Sequence, residues 1–408
     1  MTQHRATSGP LIRADLVRAA AYCWIAIATV AVAVHVFQHL QHSMANAAGE
    51  PLGADFLNTW TGAALAWQGQ APTVYDWLAY HRFQEQVIVG ALDFYHYSYP
   101  PVLLLLAPLG ALPYPAALCV WLLCGWLAFY GMLRRACPDH ALWLALAAPA
   151  VLVNTLGGQN GTWSAALLGG GLWLLPRRPW IAGILFGLLL YKPQLGLLLP
   201  VALLAGRQWR AFGAAAATAV VLVVVSVLAF GHELWSDYIR NAGLLRATIL
   251  EDGTGVWHRM VSVFVFARRL GLDVPAAYAV QLAVALPVTI GVAWAWWTDW
   301  PTDLRNALTL VGGFLVTPYL QDYDLIIAVF AVAALLGTMT PRMQPLVLAG
   351  AGLLLLAPVV TAPLALATGV SAGALMLAPV FPIIWAVKCR NDEPAQRQPS
   401  FAAPEQPS

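Results

Sequence analysis

Several short polar groups interrupt long apolar stretches of this chain, and the first of them centres on Asp55. It stands in Gly53-Ala54-Asp55-Phe56-Leu57, shortly after the first long apolar run. An ionisable group near membrane depth is costly and therefore invites a functional interpretation. An Asp at a helix start also commonly caps the helix or lies in its first turn. Spacing alone leaves both interpretations open.

A second group, Gly157-Gly158-Gln159-Asn160-Gly161, places two amides between glycines. The side chains of Gln159 and Asn160 can donate and accept hydrogen bonds at the same time, which suits a ligand rich in hydroxyl groups. The alternative is a break between two helices, where the amides hold neighbouring helices together.

Lys192 stands beside Pro193 and Gln194, between two short apolar segments. A lysine there can offer a point charge to a phosphate group. It can equally extend its ammonium group to the membrane surface. The proline break and the adjacent Gln194 leave these two interpretations in balance.

Two carboxylates, Asp322 and Asp324, flank Tyr323 between two strongly apolar segments. This stretch could be an ordinary loop in which Asp324 lies at the start of the next helix. His258 and Arg259 follow the second polar loop of the chain, and could pair with one of these carboxylates or bind an anion.

An aromatic cluster, Tyr95-His96-Tyr97-Ser98-Tyr99-Pro100-Pro101, opens the second apolar block. Aromatic residues with a proline in the first helical turn are typical of the belt at a membrane surface. The same residues could form the rim of a site for a sugar or a lipid head group.

The composition requires a membrane environment for the elements that position these groups. Of 408 residues, 60% are hydrophobic and only 10% are charged, whereas soluble domains carry about 25% charged residues. Runs such as 211–230 and 345–363 are long enough to cross a bilayer as helices. The net charge of +2 comes from scattered residues, so no nucleic-acid partner is predicted. No metal-binding or P-loop motif is evident, and no cofactor is expected.

The pattern predicts an all-α, polytopic bundle of about 10–12 spans, with short or broken helices around a cavity. Residues 1–18 read as a basic cytoplasmic tail, 19–389 as the membrane domain and 390–408 as a disordered tail. Residues 41–97 read as a first external loop with amphipathic helices at the interface, at 55–67 and 74–89. Arginine pairs at 134–135, 177–178 and 207/210 all face the cytoplasm only if residues 98–133 make one net crossing.

The polar groups, taken in order, resemble the family 87 glycosyltransferases (the DUF2029 group) of the GT-C superfamily, which use polyprenyl-phosphate sugars. The resemblance covers residues 50–325 and is carried by Gly53-Ala54-Asp55-Phe56 with Trp60, Trp67–Asp76, Tyr99-Pro100-Pro101, Gly158-Gln159-Asn160, Tyr191-Lys192-Pro193-Gln194 and Thr317-Pro318-Tyr319 with Tyr323-Asp324. In actinobacterial mannosyltransferases of this group the last motif contains histidine, which this chain lacks.

This resemblance implies a GT-C fold with an outward-facing cavity, and Asp55 as the general base. It further implies an inverting transfer of a mannose-like hexose to a lipid or glycan acceptor on the periplasmic face of a bacterial plasma membrane. Phosphate-binding candidates are Lys192, Arg259 and Arg82. Candidates for binding the sugar or the acceptor are Tyr99, Gln159, Asn160, Gln194, His258, Asp322, Tyr323 and Asp324.

Two other functions fit a polytopic chain. A transporter or flippase usually places ionisable groups inside helices and between internal repeats, whereas here no repeat is evident and the carboxylates lie in loops. A non-catalytic scaffold of the cell envelope would share the same fold. The oligomeric state is open.

Overall fold

Apolar helices dominate the computed structural model of the chain, which describes residues 14–90 and 100–392. Its α-helices, in chain order, are α1 (Ala14–Leu40), α2 (Phe56–Trp67), α3 (Trp77–Val87), α4 (Pro100–Leu106), α5 (Tyr114–Ala136), α6 (Ala141–Ala147), α7 (Pro149–Leu156), α8 (Gly161–Leu174), α9 (Pro179–Leu188), α10 (Leu199–Ala205), α11 (Trp209–Phe230), α12 (Glu233–Leu245), α13 (Val263–Arg269), α14 (Val274–Trp297), α15 (Thr302–Val316), α16 (Ala328–Gly337), α17 (Gln344–Thr368), α18 (Gly373–Leu377) and α19 (Val380–Asp392). Short 3-10 turns lie at Ala71–Tyr75, Ala107–Ala111, Leu189–Tyr191, Pro193–Gly196, Trp257–Arg259 and Asp322–Ile327, and a π-helical turn lies at Arg246–Glu251.

Six described segments are long and apolar enough to cross a membrane: 18–40, α5, α11, α14, α17 and 373–392. Their outer faces carry exposed aliphatic side chains, such as Leu228 on α11, which is 80% exposed. Apolar side chains on the surface of a polytopic bundle face lipid rather than water. The chain is a multi-pass membrane protein with an all-helical fold, which confirms the predicted fold class.

The contacts between helix ends define two ends of the bundle. At what we call the upper end, Val261 donates its backbone N–H to the Leu320 carbonyl, and Arg269 donates to the Ala365 carbonyl. At the lower end, the Asn306 amide donates to the Leu172 carbonyl.

The path from α1 to α19 connects these two ends repeatedly. In the described chain, one pass each is made by α1, α5, α6 with α7, α8, α9, α10, α11, α14, α15, α16, α17, and α18 with α19, which gives twelve passes. Several passes use short helices broken by a proline or glycine, as the sequence predicted. Between α3 and α5, the short α4 stays at the upper end, where Leu103 packs with Leu234 and Phe230. Residues 100–136 therefore make one net crossing, and the three arginine pairs lie together at the lower end.

The two helices of the first loop, which were both expected at the interface, differ in their burial. α3 is amphipathic and partly exposed, as predicted, with only Tyr80 and Gln84 buried. By contrast, α2 is buried over ten of its twelve residues, so protein surrounds most of this helix. Its polar residues face protein: the Asn58 side chain accepts a hydrogen bond from Gln84 at 2.9 Å.

The first helix contrasts with α2 in its surroundings. None of the most apolar stretch of α1 is buried inside the protein. Its described contacts are with α6 and α7, including an edge-on ring contact between Tyr22 and Trp143 with centroids 4.8 Å apart. The rest of the described chain therefore leaves most of this helix uncovered.

Candidate active site

A sharp turn before α2 presents the Asp55 carboxylate. Gly53 and Ala54 both have left-handed backbone conformations, with φ values of +77° and +39°. Asp55 occupies the position before the first residue of α2, but its side chain makes no capping hydrogen bond. Instead Asp55 Oδ2 accepts a hydrogen bond from Gln159 Nε2 and lies 3.8 Å from Arg259 Nη1. The side chain is 40% exposed, so the carboxylate remains accessible.

Two glycines allow the 157–161 loop to approach this turn closely. A side chain on Gly158, which has φ +58°, would overlap the Gly53 carbonyl oxygen, and one on Gly161 would overlap the Tyr323 carbonyl oxygen. The loop therefore fits between the Asp55 turn and the 322–327 turn. Its Gly161 N–H is satisfied by Asn154 Oδ1 at 2.7 Å.

The two amides of this loop differ in their surroundings. Gln159 is 5% exposed and directs its amide to Asp55. Asn160 is half-buried, and in the described part of the chain its buried Oδ1 has no hydrogen-bond partner. Gln159 thus positions the carboxylate, while the Asn160 oxygen keeps its capacity to accept a hydrogen bond.

Arg259 joins the two acidic groups of the site. Its Nε and Nη2 donate to the two oxygens of Asp322 at 3.2 and 3.1 Å, in the two-point geometry typical of arginine with a carboxylate. Nη1 points toward Asp55, and the Arg259 side chain is 25% exposed. Burial acts to lower the pKa of the Arg259 guanidinium, but the Asp322 carboxylate outweighs it and raises that pKa. The guanidinium therefore stays cationic.

Lys192 lies in a different environment. Its Nζ contacts Asp324 Oδ1 at 2.6 Å, and Asp324 is completely buried. The same Nζ lies 4.4 Å from the centroid of the Tyr323 ring. Arg259 Cζ lies 5.6 Å from the centroid of the same ring. Lys192 thus neither reaches the membrane surface nor stands unpaired. Its charge is neutralised within the protein by Asp324.

The remaining predicted site residues make fewer described contacts with these groups. His258 is half-buried, and burial together with the neighbouring Arg259 lowers its pKa, which favours the neutral imidazole. Gln194 is half-buried beside Pro193, and Arg82 is exposed on α3. Neither the Gln194 nor the Arg82 side chain takes part in the described contacts of Asp55, Arg259 and Lys192. Tyr99 lies outside the described residues.

One hydrogen-bonded pair beside the site was not anticipated from the sequence. The Tyr191 hydroxyl lies 2.5 Å from Ser164 Oγ and donates to the Asn160 carbonyl at 3.3 Å. These bonds connect the segment that carries Lys192 to the first turn of α8. Ser164 stands four residues after Asn160, which is one helical turn, and this spacing was the available signal.

A comparison with known protein families shows the family of the chain that carries this site. The family model of glycosyltransferase family 87 matches residues 95–318, which is 224 of the 408 residues. The chain belongs to glycosyltransferase family 87. No curated protein and no solved structure matches it. The resemblance noted from the motifs is confirmed at the level of the family.

The family 87 match divides the site residues by position. Gln159, Lys192 and Arg259 lie inside the matched range, Asp55 precedes it, and Asp322 follows it. The fold brings all five to the upper end. The site of this family 87 chain is therefore assembled from five separate stretches of sequence: 53–56, 157–161, 191–194, 257–260 and 317–324.

Proposed function

We propose that this family 87 chain transfers a hexose from a polyprenyl-phosphate donor to a hydroxyl group of an envelope lipid or glycan. One observation carries the proposal. Asp55 Oδ2 and Arg259 Nη1 lie 3.8 Å apart at the upper end of the bundle, and both side chains are partly exposed. A base and a cation at this spacing suit the two tasks of the reaction.

The chemistry requires one proton acceptor and one group that binds the leaving phosphate. Asp55 takes the proton of the acceptor hydroxyl. At the same time the oxygen of that hydroxyl attacks the anomeric carbon of the donor sugar. The bond from that carbon to the phosphate oxygen breaks, and its electron pair leaves with the phosphate. The Arg259 guanidinium stabilises the charge that develops there. Attack opposite the phosphate inverts the anomeric configuration.

Arg259 suits the phosphate better than the other two cations do. Lys192 is held by Asp324, so binding a phosphate would require it to leave a buried carboxylate unpaired. Arg82 lies exposed on α3, apart from the described contacts of Asp55. Arg259 keeps Nη1 available while Asp322 fixes the plane of its guanidinium group.

The distribution of arginines supports a site on the non-cytoplasmic side. Exposed arginines of the lower end include Arg134, Arg135, Arg177, Arg178, Arg207 and Arg210. Short loops rich in lysine and arginine stay in the cytoplasm. At the upper end Arg240, Arg246 and Arg259 each pair with a carboxylate. The upper end then faces the periplasmic or extracytoplasmic side of a bacterial plasma membrane.

The test compares the purified chain in lipid with its Asp55→Asn variant, using radiolabelled polyprenyl-phosphate hexoses and a membrane lipid extract. We expect the variant to lose about 10²–10⁴-fold in transfer rate, because an amide cannot take the proton. Asp252→Asn, at an exposed carboxylate of the same end, is the matched control and should keep full activity.

Two outcomes would contradict the proposal. Equal rates for wild type and Asp55→Asn would remove Asp55 from the role of base. Absence of turnover with every donor, together with movement of labelled lipid between leaflets, would favour a flippase, and absence of both would favour a scaffold.

A further inference from the structure

A cavity of about 330 Å³ opens at the lower end of the bundle, away from Asp55. It lies between the α5–α6 loop and the lower ends of α8, α15 and α16. This volume is at the lower limit of ordinary ligand pockets. Because these helices carry the candidate active site at their upper ends, the cavity is a separate feature.

The floor of the cavity is apolar and well packed. Leu172, Leu310 and Phe330 are buried there, and Phe330 fits directly against Gly169, where any side chain would overlap its ring. Trp173 completes the wall. This part of the cavity suits an apolar body rather than a cluster of waters.

The rim is acidic. Asp139 and Asp303 line the cavity and are exposed, as is the neighbouring His140, and Cys137 also lines the cavity. Burial raises the pKa of the Cys137 thiol, and the charges of both carboxylates add to this effect. In the described part of the chain, the salt bridges include neither Asp139 nor Asp303.

Between floor and rim stands an amide whose oxygen has no partner. Asn306 Nδ2 donates to the Leu172 carbonyl at 3.3 Å. Its Oδ1 is buried and accepts no hydrogen bond from any described group. A buried acceptor without a donor is costly, and a ligand with an N–H group would satisfy it.

We propose that this cavity binds a primary ammonium group attached to a small apolar body. Two unpaired carboxylates attract a cation, the orphan Asn306 oxygen requires an N–H donor, and the apolar floor accepts the rest of the ligand. The ammonium group can come from the headgroup of a phosphatidylethanolamine lipid or from a free arylalkylamine. Binding does not depend on the transfer reaction proposed above.

The test titrates 4-fluorophenethylamine into the full chain in phosphatidylcholine nanodiscs and follows the ligand by fluorine NMR, with empty nanodiscs as the blank. We expect saturable binding to the wild type. In Asp139→Asn with Asp303→Asn, the affinity should fall about tenfold for each carboxylate removed. Both residues are exposed, so the variant should still fold. Asp252→Asn should bind as the wild type does.

Two related probes separate the parts of the proposal. The neutral 2-(4-fluorophenyl)ethanol and the quaternary trimethylammonium analogue of the amine should both bind at least tenfold more weakly, because the first lacks the charge and the second lacks N–H donors.

Nanodiscs that contain phosphatidylethanolamine distinguish the two sources. Weaker amine binding in these discs would show that the lipid headgroup occupies the cavity, and unchanged binding would identify a free amine; both support an ammonium site. The proposal is overturned if wild type and the double variant bind the amine equally, if the neutral alcohol binds as well as the amine, or if binding does not exceed that of empty discs.

Discussion

Two ion pairs of the candidate active site look similar in sequence but differ in what surrounds them. Lys192 and Asp324 are 8% and 0% exposed, whereas Arg259 keeps a quarter of its side chain exposed beside Asp55. A buried pair mainly avoids the cost of leaving one charge alone. A partly exposed cation with one nitrogen uncommitted can still bind an anion. We therefore expect the two cations to have different tasks.

We expect Arg259→Gln to lower kcat/KM for the lipid-phosphate donor by about 10²–10³-fold, because a donor to the developing phosphate charge is lost. Arg259→Lys should restore little, since an ammonium group cannot bind Asp322 at two points and still face Asp55. Steady-state kinetics with varied donor concentration would measure this. Arg240→Gln, at an exposed arginine of the same end, is the control. An Arg259→Gln enzyme with wild-type kinetics would contradict the assignment.

Lys192→Met should lower the free energy of unfolding. The completely buried Asp324 would lose its partner, which costs about 3–5 kcal/mol of unfolding free energy. Lys192→Met combined with Asp324→Asn should recover most of this loss, because the second change removes the unpaired charge. Unfolding of both variants in detergent would be compared with that of the wild type. If the single variant were as stable as the wild type and lost only donor affinity, Lys192 would be a phosphate ligand instead.

At the scale of elements, the position of Asp55 depends on a close approach between two turns. Gly158 has a left-handed backbone, and its neighbour across the contact is the carbonyl of Gly53. Gly158→Ala should separate the 157–161 loop from the Asp55 turn and withdraw the Gln159 amide. Left-handed backbone alone costs about 1–2 kcal/mol for a residue with a side chain.

We therefore expect Gly158→Ala to reduce the transfer rate more than its loss of stability explains. The rate would be measured at a temperature where both proteins remain folded. Gly243→Ala, on α12, is the matched control because open space surrounds that glycine. Full activity of Gly158→Ala would show that the contact does not set the position of Asp55.

At the scale of the whole molecule, the prediction concerns orientation. In a chain whose five cysteines are replaced by alanine, Asp252→Cys should react with a membrane-impermeant maleimide in intact cells, because it lies at the upper end. Arg178→Cys should react only after the membrane is opened, since we propose that the arginine-rich lower end faces the cytoplasm. The reverse pattern would place the candidate active site in the cytoplasm.

Hydropathy and motif order were sufficient to predict the class of fold and the family, because both depend on features that are local in sequence. The partners of individual residues were not predictable in this way. Lys192 and Asp324 are 132 residues apart, so only the folded chain reveals which carboxylate neutralises the lysine. The same holds for Asp55, whose position before α2 suggested a cap.

The burial of α2 was not predictable from its sequence for a related reason. Its polar residues looked like a water-facing side, but Asn58 instead bonds Gln84 inside the protein. A polar residue in a sequence indicates that a hydrogen-bond partner is needed and does not tell whether water or protein supplies it. The first loop of this chain contains both cases, because α2 is mostly buried in protein and α3 is partly exposed.

The sparse packing of α1 has a consequence for the enzyme in its bilayer. A helix covered by acyl chains adjusts its tilt when the hydrocarbon thickness changes, at a cost of only fractions of a kcal/mol per ångström of mismatch. α1 is joined to Asp55 by the short segment 41–54, in which Leu52 donates its N–H to the Met44 carbonyl. We therefore expect the position of the Asp55 carboxylate to respond to the thickness of the surrounding lipid.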